Sequence, residues 1–250
     1  MSQGDEHQGT SSEKSDDFRG PDLSSNVAGA NVSSISPILL TDRQMLSRLL
    51  YPNPVCILSV CEPIRNMMIL SWITATDNAG NIFMSINQKR YTAELLSVSS
   101  YFVLNVPVSG MEECIVNIGK CSGRDVDKFV TCGVNHCYPG WTPIGADATR
   151  IKKPLAKKLR GLGDEYPHLI AVNECVAHIV CRVKRIDTEV VSDKNSHLFV
   201  FAEIVYAYVM NDYWDGTSFS GNYLLTPPIL SFLGSGKFAH IVRKDFSLSK

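Results

Sequence analysis

Two stretches of this 250-residue sequence carry side chains suited to holding an anion. Arg90 and Thr92 stand at the start of a predicted helix. There an arginine fork, a hydroxyl and unsatisfied backbone N–H groups all favour negative charge. The second stretch is Ser122-Gly123-Arg124-Asp125-Val126-Asp127-Lys128-Phe129, in which Arg124 and Lys128 can approach the same region and Gly123 lets the backbone come close. Ser71-Trp72-Ile73-Thr74 closes one predicted strand, Ser85 and Asn87 close the next, Asn105 interrupts an apolar one, and His197 opens a late one. Each also has a plain structural reading. Trp72 can be core, and the charged residues from Arg124 to Lys128 can form a solvated salt-bridged loop. Asn105 can bond neighbouring backbone, and His197 can be a turn histidine. The other histidines, including His136, His168, His178 and His240, read as structural, and the lysines around 152–158 as a solvated face.

The elements that position these residues are mostly strands. A capping-box pattern at Thr41-Asp42-Arg43-Gln44 begins a short helix with Met45, Leu46, Leu49 and Leu50 as its apolar face, and Tyr51-Pro52 ends it. Strands are predicted over 55–61, 67–75, 82–86, 101–106, 171–186 and 197–210, with turns at Glu62-Pro63 and at 77–81. Helices are predicted over 91–99, with Leu95 and Leu96 inward, and over 111–118, with Gly119 as the terminating glycine. The tail from Tyr213 to Phe246 is Gly/Pro-rich, with Thr226-Pro227-Pro228 and Gly234-Ser235-Gly236. Many strands, few helices and short turns predict a mainly β protein with short helices, a barrel rather than a doubly wound sheet.

Composition narrows the classes. Residues 1–36 are polar, with too little apolar surface to offset ordering, and read as a disordered tail; 37–250 read as one domain. A net charge of −1 argues against a dedicated nucleic-acid binder. No apolar run is long enough to span a bilayer, and the opening residues lack a secretory pattern, so the expected location is the cytoplasm, with no membrane partner. The eight cysteines are then expected to be free thiols, several inside apolar runs. Cys132, His136 and Cys137 lack the second pair that a zinc site needs, so no metal is expected.

The block from Tyr51 to Thr131 resembles the flavin reductase-like, FMN-binding split-barrel family, in particular its flavoredoxin-like branch. The residues that carry the likeness are Tyr51-Pro52 with Pro54-Val55, the run from Asn66 to Thr74, Lys89-Arg90-Tyr91-Thr92, Phe102-Val103-Leu104-Asn105-Val106 and the Ser122-to-Phe129 loop. A weaker echo runs through Glu174-Cys175, Cys181-Arg182-Val183 and Glu203.

The resemblance implies an FMN-binding split β-barrel, a homodimer, and electron transfer from NADH or NADPH through FMN to free flavin or another acceptor. It implies that Arg90, Tyr91, Thr92, Ser122, Gly123, Arg124 and Lys128 hold the phosphate end. Ser71, Trp72, Ile73 and Thr74 would meet the ring, Ser85 and Asn87 the ribityl hydroxyls, and Asn105 would belong to the same site. His197 would be the catalytic candidate. Hydride transfer needs stacking and orientation rather than a general base, so the missing triad excludes nothing.

Two departures bear on the reductant. Asn195-Ser196-His197 stands where the family often has Gly-Asp-His, and Ala202 replaces the glycine before Glu203. Residues 139–168 read as an insertion. An FMN-binding electron carrier without NAD(P)H turnover, and a barrel that binds no flavin, therefore stand as alternatives.

Overall fold

The computed structural model describes residues 39–141, 144, 169–189, 196–220 and 225–241. The expected tail at 1–36, His168 and most of the expected insertion lie outside them. The chain divides into two units after Thr41, and in the first only residues 39–41 are described, irregular and exposed.

The second unit opens with helix α1 (Arg43–Leu46) and a 3-10 turn (Ser47–Leu50). The apolar face expected here is not buried: Met45, Leu46, Leu49 and Leu50 are all exposed. The change from 3.6 to 3.0 residues per turn takes the two pairs of side chains off a common stripe. The chain then forms β1 (Asn53–Pro54), β2 (Cys56–Val60), β3 (Asn66–Leu70), β4 (Ile73–Ala75) and β5 (Asn81–Asn87). Next come α2 (Tyr91–Val98), β6 (Tyr101–Val106), α3 (Glu112–Lys120), α4 (Lys128–Thr131) and β7 (His136–Cys137). The last strands are β8 (Ala171–Val172), β9 (Ala177–Glu189), β10 (His197–Val209), β11 (Ile229–Gly234) and β12 (Lys237–Ile241).

Seven of these strands make one antiparallel sheet in the order β3-β2-β6-β9-β10-β5-β4. Its two outermost strands, β3 and β4, are consecutive in the chain and separated only by Ser71-Trp72. A two-residue link cannot reach across a flat seven-stranded sheet, since strands lie about 4.8 Å apart. The sheet must therefore curl until its edges nearly meet, leaving a seam at Ser71-Trp72. This is the split barrel that the sequence implied, with one correction. The single strand expected over 67–75 is two strands that belong to opposite edges.

Other boundaries move for local reasons. The strand expected over 171–186 breaks at Asn173-Glu174, because β8 pairs with β7 while β9 pairs with β6 and β10. Helix α3 runs through Gly119 to Lys120 and ends at Cys121; Gly119 has no left-handed φ and is not its terminator. The Gly/Pro-rich tail after Tyr213, for which no strand was expected, contains the hairpin β11–β12, turned by Gly234-Ser235-Gly236 with φ of 90°, 51° and 71°.

Alternation along the strands builds two layers of core. Leu58, Met84, Ile86, Phe102 and Val200 fill the barrel interior, joined by Leu95 and Leu96 of α2 as expected. On the other side of β2, Ile57 and Met67 pack with Ile115, Phe129 and Ile170, so α3 and α4 are held against the outside of the sheet. Burying a strand on both faces needs its polar groups satisfied. Asn105 does this for three strands at once. Its Nδ2 donates to Ile57 O at 2.7 Å and Ser59 Oγ at 2.9 Å, and its Oδ1 accepts from Val172 N at 2.9 Å.

His178 pins the edge of the same core. Fully buried, it lies 2.8 Å from Val172 O through Nε2 and accepts from Gly140 N at 3.1 Å through Nδ1. That pattern requires the neutral ring with its proton on Nε2, and burial lowers the pKa to about 4. An unfolded imidazole protonates near its ordinary value of 6.5. Between these values the unfolded chain binds the extra proton, so stability rises with pH through this window and is lost as pH falls from 6.5 towards 4. The loss should approach about 3 kcal/mol for this residue. Urea midpoints measured from pH 7 down to 4.5 should show it, with the His178 ring signals in NMR still those of a neutral imidazole at pH 5.5.

Candidate flavin site

The chain segments on either side of the barrel seam line two clefts. The first, of about 250 Å3, lies between the free edge of β3, the start of α2 and the loop after α3. Its lining includes Lys89, Arg90, Lys120 and Lys128 and, among the described residues, no carboxylate. Arg90 is exposed, and its guanidinium has no hydrogen-bond or acidic partner among the described residues. Lys128 is buried, donates from Nζ to Ile118 O at 3.0 Å, and is lowered from the ordinary lysine value by burial, with Arg90 adding to the effect. Two cations held near each other without a counter-charge are costly unless an anion joins them.

Local backbone adds to this field. Arg90 caps α2 in extended conformation (φ −74°, ψ 133°), and no side chain caps the first turn. Its first N–H groups therefore remain to be satisfied beside the cleft. Asn66 is buried and donates through Nδ2 to Thr92 Oγ1 at 3.0 Å, so the Thr92 hydroxyl proton is left for another acceptor. Asn66 Oδ1 is buried with no partner among the described residues, an exception of the kind that marks a ligand or water site. Gly123 passes so close to the Asn66 amide that an added Cβ would lie well inside van der Waals contact with Oδ1. The cations, the N–H groups of the first turn and the Thr92 hydroxyl fit a phosphate group, whereas Asn66 Oδ1, an acceptor, calls for a donor such as water or a ligand hydroxyl.

The second cleft, of about 360 Å3, is built on the seam itself. Tyr51, Trp72, Ile73 and Phe83 give it aromatic and apolar walls, and Ser71, Thr74 and Ser85 contribute hydroxyls. Trp72 is fixed from three directions. Its Nε1 donates to Tyr51 OH at 3.1 Å, its carbonyl accepts from Ser85 N at 3.0 Å, and its ring stacks on His197 with centroids 5.3 Å apart. The unpaired outer edges of β3 and β4 supply backbone groups at the same place. A flat ring with a hydrogen-bonding edge fits such a cleft.

The two clefts are one strand segment apart. Met68 lines the first and Ser71 the second, a separation of about 10 Å at about 3.3 Å per residue. The end of β5 makes the same connection, with Ser85 in the second cleft and Lys89 in the first. Between them, Asn87 Oδ1 accepts from Lys89 N at 2.9 Å and shapes the turn that delivers Arg90.

Of the candidates named from sequence, Arg90, Tyr91, Thr92, Ser122, Gly123 and Lys128 line the first cleft, and Ser71, Trp72, Ile73, Thr74 and Ser85 the second. Asn87 and His197 face each other across β5 and β10, next to both. Two candidates lie elsewhere. Asn105 is inside the core, its amide satisfied as described. Arg124 is paired through both terminal nitrogens with Glu94 and lies over the Tyr91 ring at 4.9 Å. It behaves as half of an exposed ion pair that solvent screens. Asn66, Lys120 and Tyr51 were missed as site residues. A polar residue opening an apolar strand was the available signal for Asn66.

A profile of the flavin reductase like domain matches residues 46–222, and the chain belongs to that family. No curated protein matches the sequence. Among solved structures, flavoredoxin from Methanosarcina acetivorans is similar at 20% identity and a TM-score of 0.59, over 86% of this chain and 96% of that one. The FMN-binding protein from Thermus thermophilus with bound 1-cyclohex-2-enone is similar at 17% identity and a TM-score of 0.58, over 85% and 97%. The NADH:FAD oxidoreductase SgcE6 of Streptomyces globisporus C-1027 is similar at 18% identity and a TM-score of 0.56, over 84% and 100%. At these identities the likeness shows the shared fold. Among the described residues, no group of acidic, His and Cys side chains could hold a metal, and no helix is long and apolar enough to cross a membrane.

Gly123→Ala tests the close approach in the first cleft. The new methyl group must displace the buried Asn66 amide, so the variant should lose about 1–3 kcal/mol in urea unfolding, whereas Gly119→Ala, with open space around it, should not.

Proposed function

We propose that this protein binds FMN across the seam, with the phosphate in the cationic cleft and the isoalloxazine ring in the aromatic one. We further propose that it moves electrons from NADH or NADPH through that flavin to free flavin or another acceptor. The observation that carries the reading is the pairing of an uncompensated cationic cleft with an aromatic cleft about one ribityl chain away along a single strand. Arg90, Lys128, the Thr92 hydroxyl and the first turn of α2 would bind the phosphate. Ser85 and Asn87 would meet the ribityl hydroxyls, and the seam backbone at Ser71 to Thr74 would orient the ring edge.

Bound flavin would supply the hydride-accepting centre; the protein's task is to hold it, exclude water from one face and leave the other open. Trp72 and His197 border that open face, so His197 is our candidate for contact with the reductant or acceptor. Arg124 would act from outside, holding α2 to the Ser122–Lys128 loop through Glu94.

The family membership, and the reductase and flavoredoxin names among its structural neighbours, support a flavin-dependent redox role. A homodimer in the cytoplasm completes the reading. In support, the outward face of β5 and β10 carries Phe83, Phe199 and Phe201 with ring centroids 5.2–5.6 Å apart and half-exposed. Such an apolar patch is characteristic of an interface. The described cysteines are all free, in keeping with a reducing compartment.

Arg90→Ala should weaken FMN binding by about 10- to 100-fold, the loss of one charge-assisted contact, without changing the unfolding midpoint of FMN-free protein. Fluorescence titration with urea unfolding checks both; unchanged affinity would contradict the phosphate placement. Anaerobic addition of NADPH or NADH to the FMN-loaded protein should bleach its yellow absorbance, and a yellow protein that never consumes either would be a carrier instead. Phe199→Glu with Phe201→Glu should convert the species seen by light scattering from dimer to monomer.

A further inference from the structure

The described cysteines include a pair that the flavin reading does not use. Cys121 and Cys132 place their sulfurs 3.8 Å apart, both half-buried, while Cys56, Cys137, Cys175 and Cys181 are buried. Cys121 terminates α3 and Cys132 terminates α4, so joining them breaks neither helix. The segment they bracket holds Ser122, Gly123 and Lys128, and Cys121 itself lines the cationic cleft. A disulfide brings its sulfurs to about 2 Å, a movement that a cap residue can make by side-chain rotation and a small shift of the loop.

We propose that Cys121 and Cys132 form a reversible disulfide by exchange with an anionic low-molecular-weight disulfide, and that an anion bound in the cleft shields the pair. The shielding by flavin rests on the function proposed above; the thiol pair does not. Lys89, Arg90, Lys120 and Lys128 attract the carboxylates of such a reagent into the empty cleft.

Cys121 attacks there. A bond forms between Cys121 Sγ and one sulfur of the reagent, the reagent's own S–S bond breaks, and the first half departs as a thiol with the proton Cys121 gave up. Cys132 then attacks Cys121 Sγ and expels the second half, which takes the Cys132 proton. Two protein thiols are oxidised to one disulfide, and one external disulfide is reduced to two thiols. Cys121 lines the cleft and Cys132 does not, so Cys121 meets the reagent first and Cys132, whose thiol burial pushes up, is the second, intramolecular thiol. The closed ring confines the loop that carries Gly123 and Lys128, so thiol oxidation and anion binding act on the same segment.

The test uses the full chain, FMN-free, treated with glutathione disulfide and mapped by mass spectrometry without reduction. The expected product is a Cys121–Cys132 cross-linked peptide lighter by two hydrogens, and Cys132→Ser should stop at a glutathione adduct on Cys121. FMN at saturating concentration, with binding followed separately by fluorescence, should slow the cross-link at least tenfold. A stable adduct on Cys121 in the unsubstituted chain, or cross-links through other cysteines instead, would overturn the pairing. FMN that binds yet leaves the rate unchanged would overturn the shielding. FMN that does not bind, with the cross-link still formed, would overturn the flavin reading and support the thiol pair.

Discussion

The structure depends on a constraint of chain connectivity: Ser71-Trp72 must join the two outer strands of a seven-stranded sheet. Everything at the candidate site follows from that short link. It forces the sheet to curl, leaves β3 and β4 with unpaired edges, and exposes Trp72 where an ordinary strand would have buried it. An open edge usually invites aggregation, and proteins cover it or use it. Here the edges lie between a cationic and an aromatic cleft. That arrangement suits a ligand that is anionic at one end and flat at the other.

The core and the first cleft differ in how their polar groups are met. In the core, Asn105, Ser59 and His178 bond to backbone groups, and Asn105 also to Ser59, which lets β2 and β6 be buried on both faces. Around the first cleft, Arg90 is unengaged among the described residues, Lys128 is a buried cation with a single carbonyl acceptor among them, and Asn66 Oδ1 is an orphan. A folded chain tolerates such a concentration of unmet polar groups where something else meets them. Arg124, seemingly as good a phosphate ligand as Arg90, illustrates the contrast: Glu94 has already claimed it.

Much of this was legible in the sequence, and the failures have physical causes. Strand positions and α2 followed from alternation and periodicity, and the cationic stretch at 89–92 stood out by residue type. The seam did not, because apolar alternation runs through Ser71-Trp72 without a proline or glycine to mark that the chain changes edges. The hairpin β11–β12 was hidden by its glycines, which form the turn rather than prevent strands. Asn105 and Arg124 were candidates by motif, yet a sequence cannot show that Val172 N and Glu94 satisfy them. From sequence Asn66 reads only as the start of a motif strand and not as a site residue, since its unmet acceptor and the close approach of Gly123 exist only in the folded chain.

The central claim is that one ligand spans both clefts and is anchored by its phosphate. The most direct measurement compares the affinities of FMN and riboflavin for the same protein at low and physiological salt. The account predicts that FMN binds far more tightly, and that the gap narrows as salt rises. Equal affinity for the two at every salt concentration would mean that the cationic cleft does not hold the phosphate, and would contradict the account.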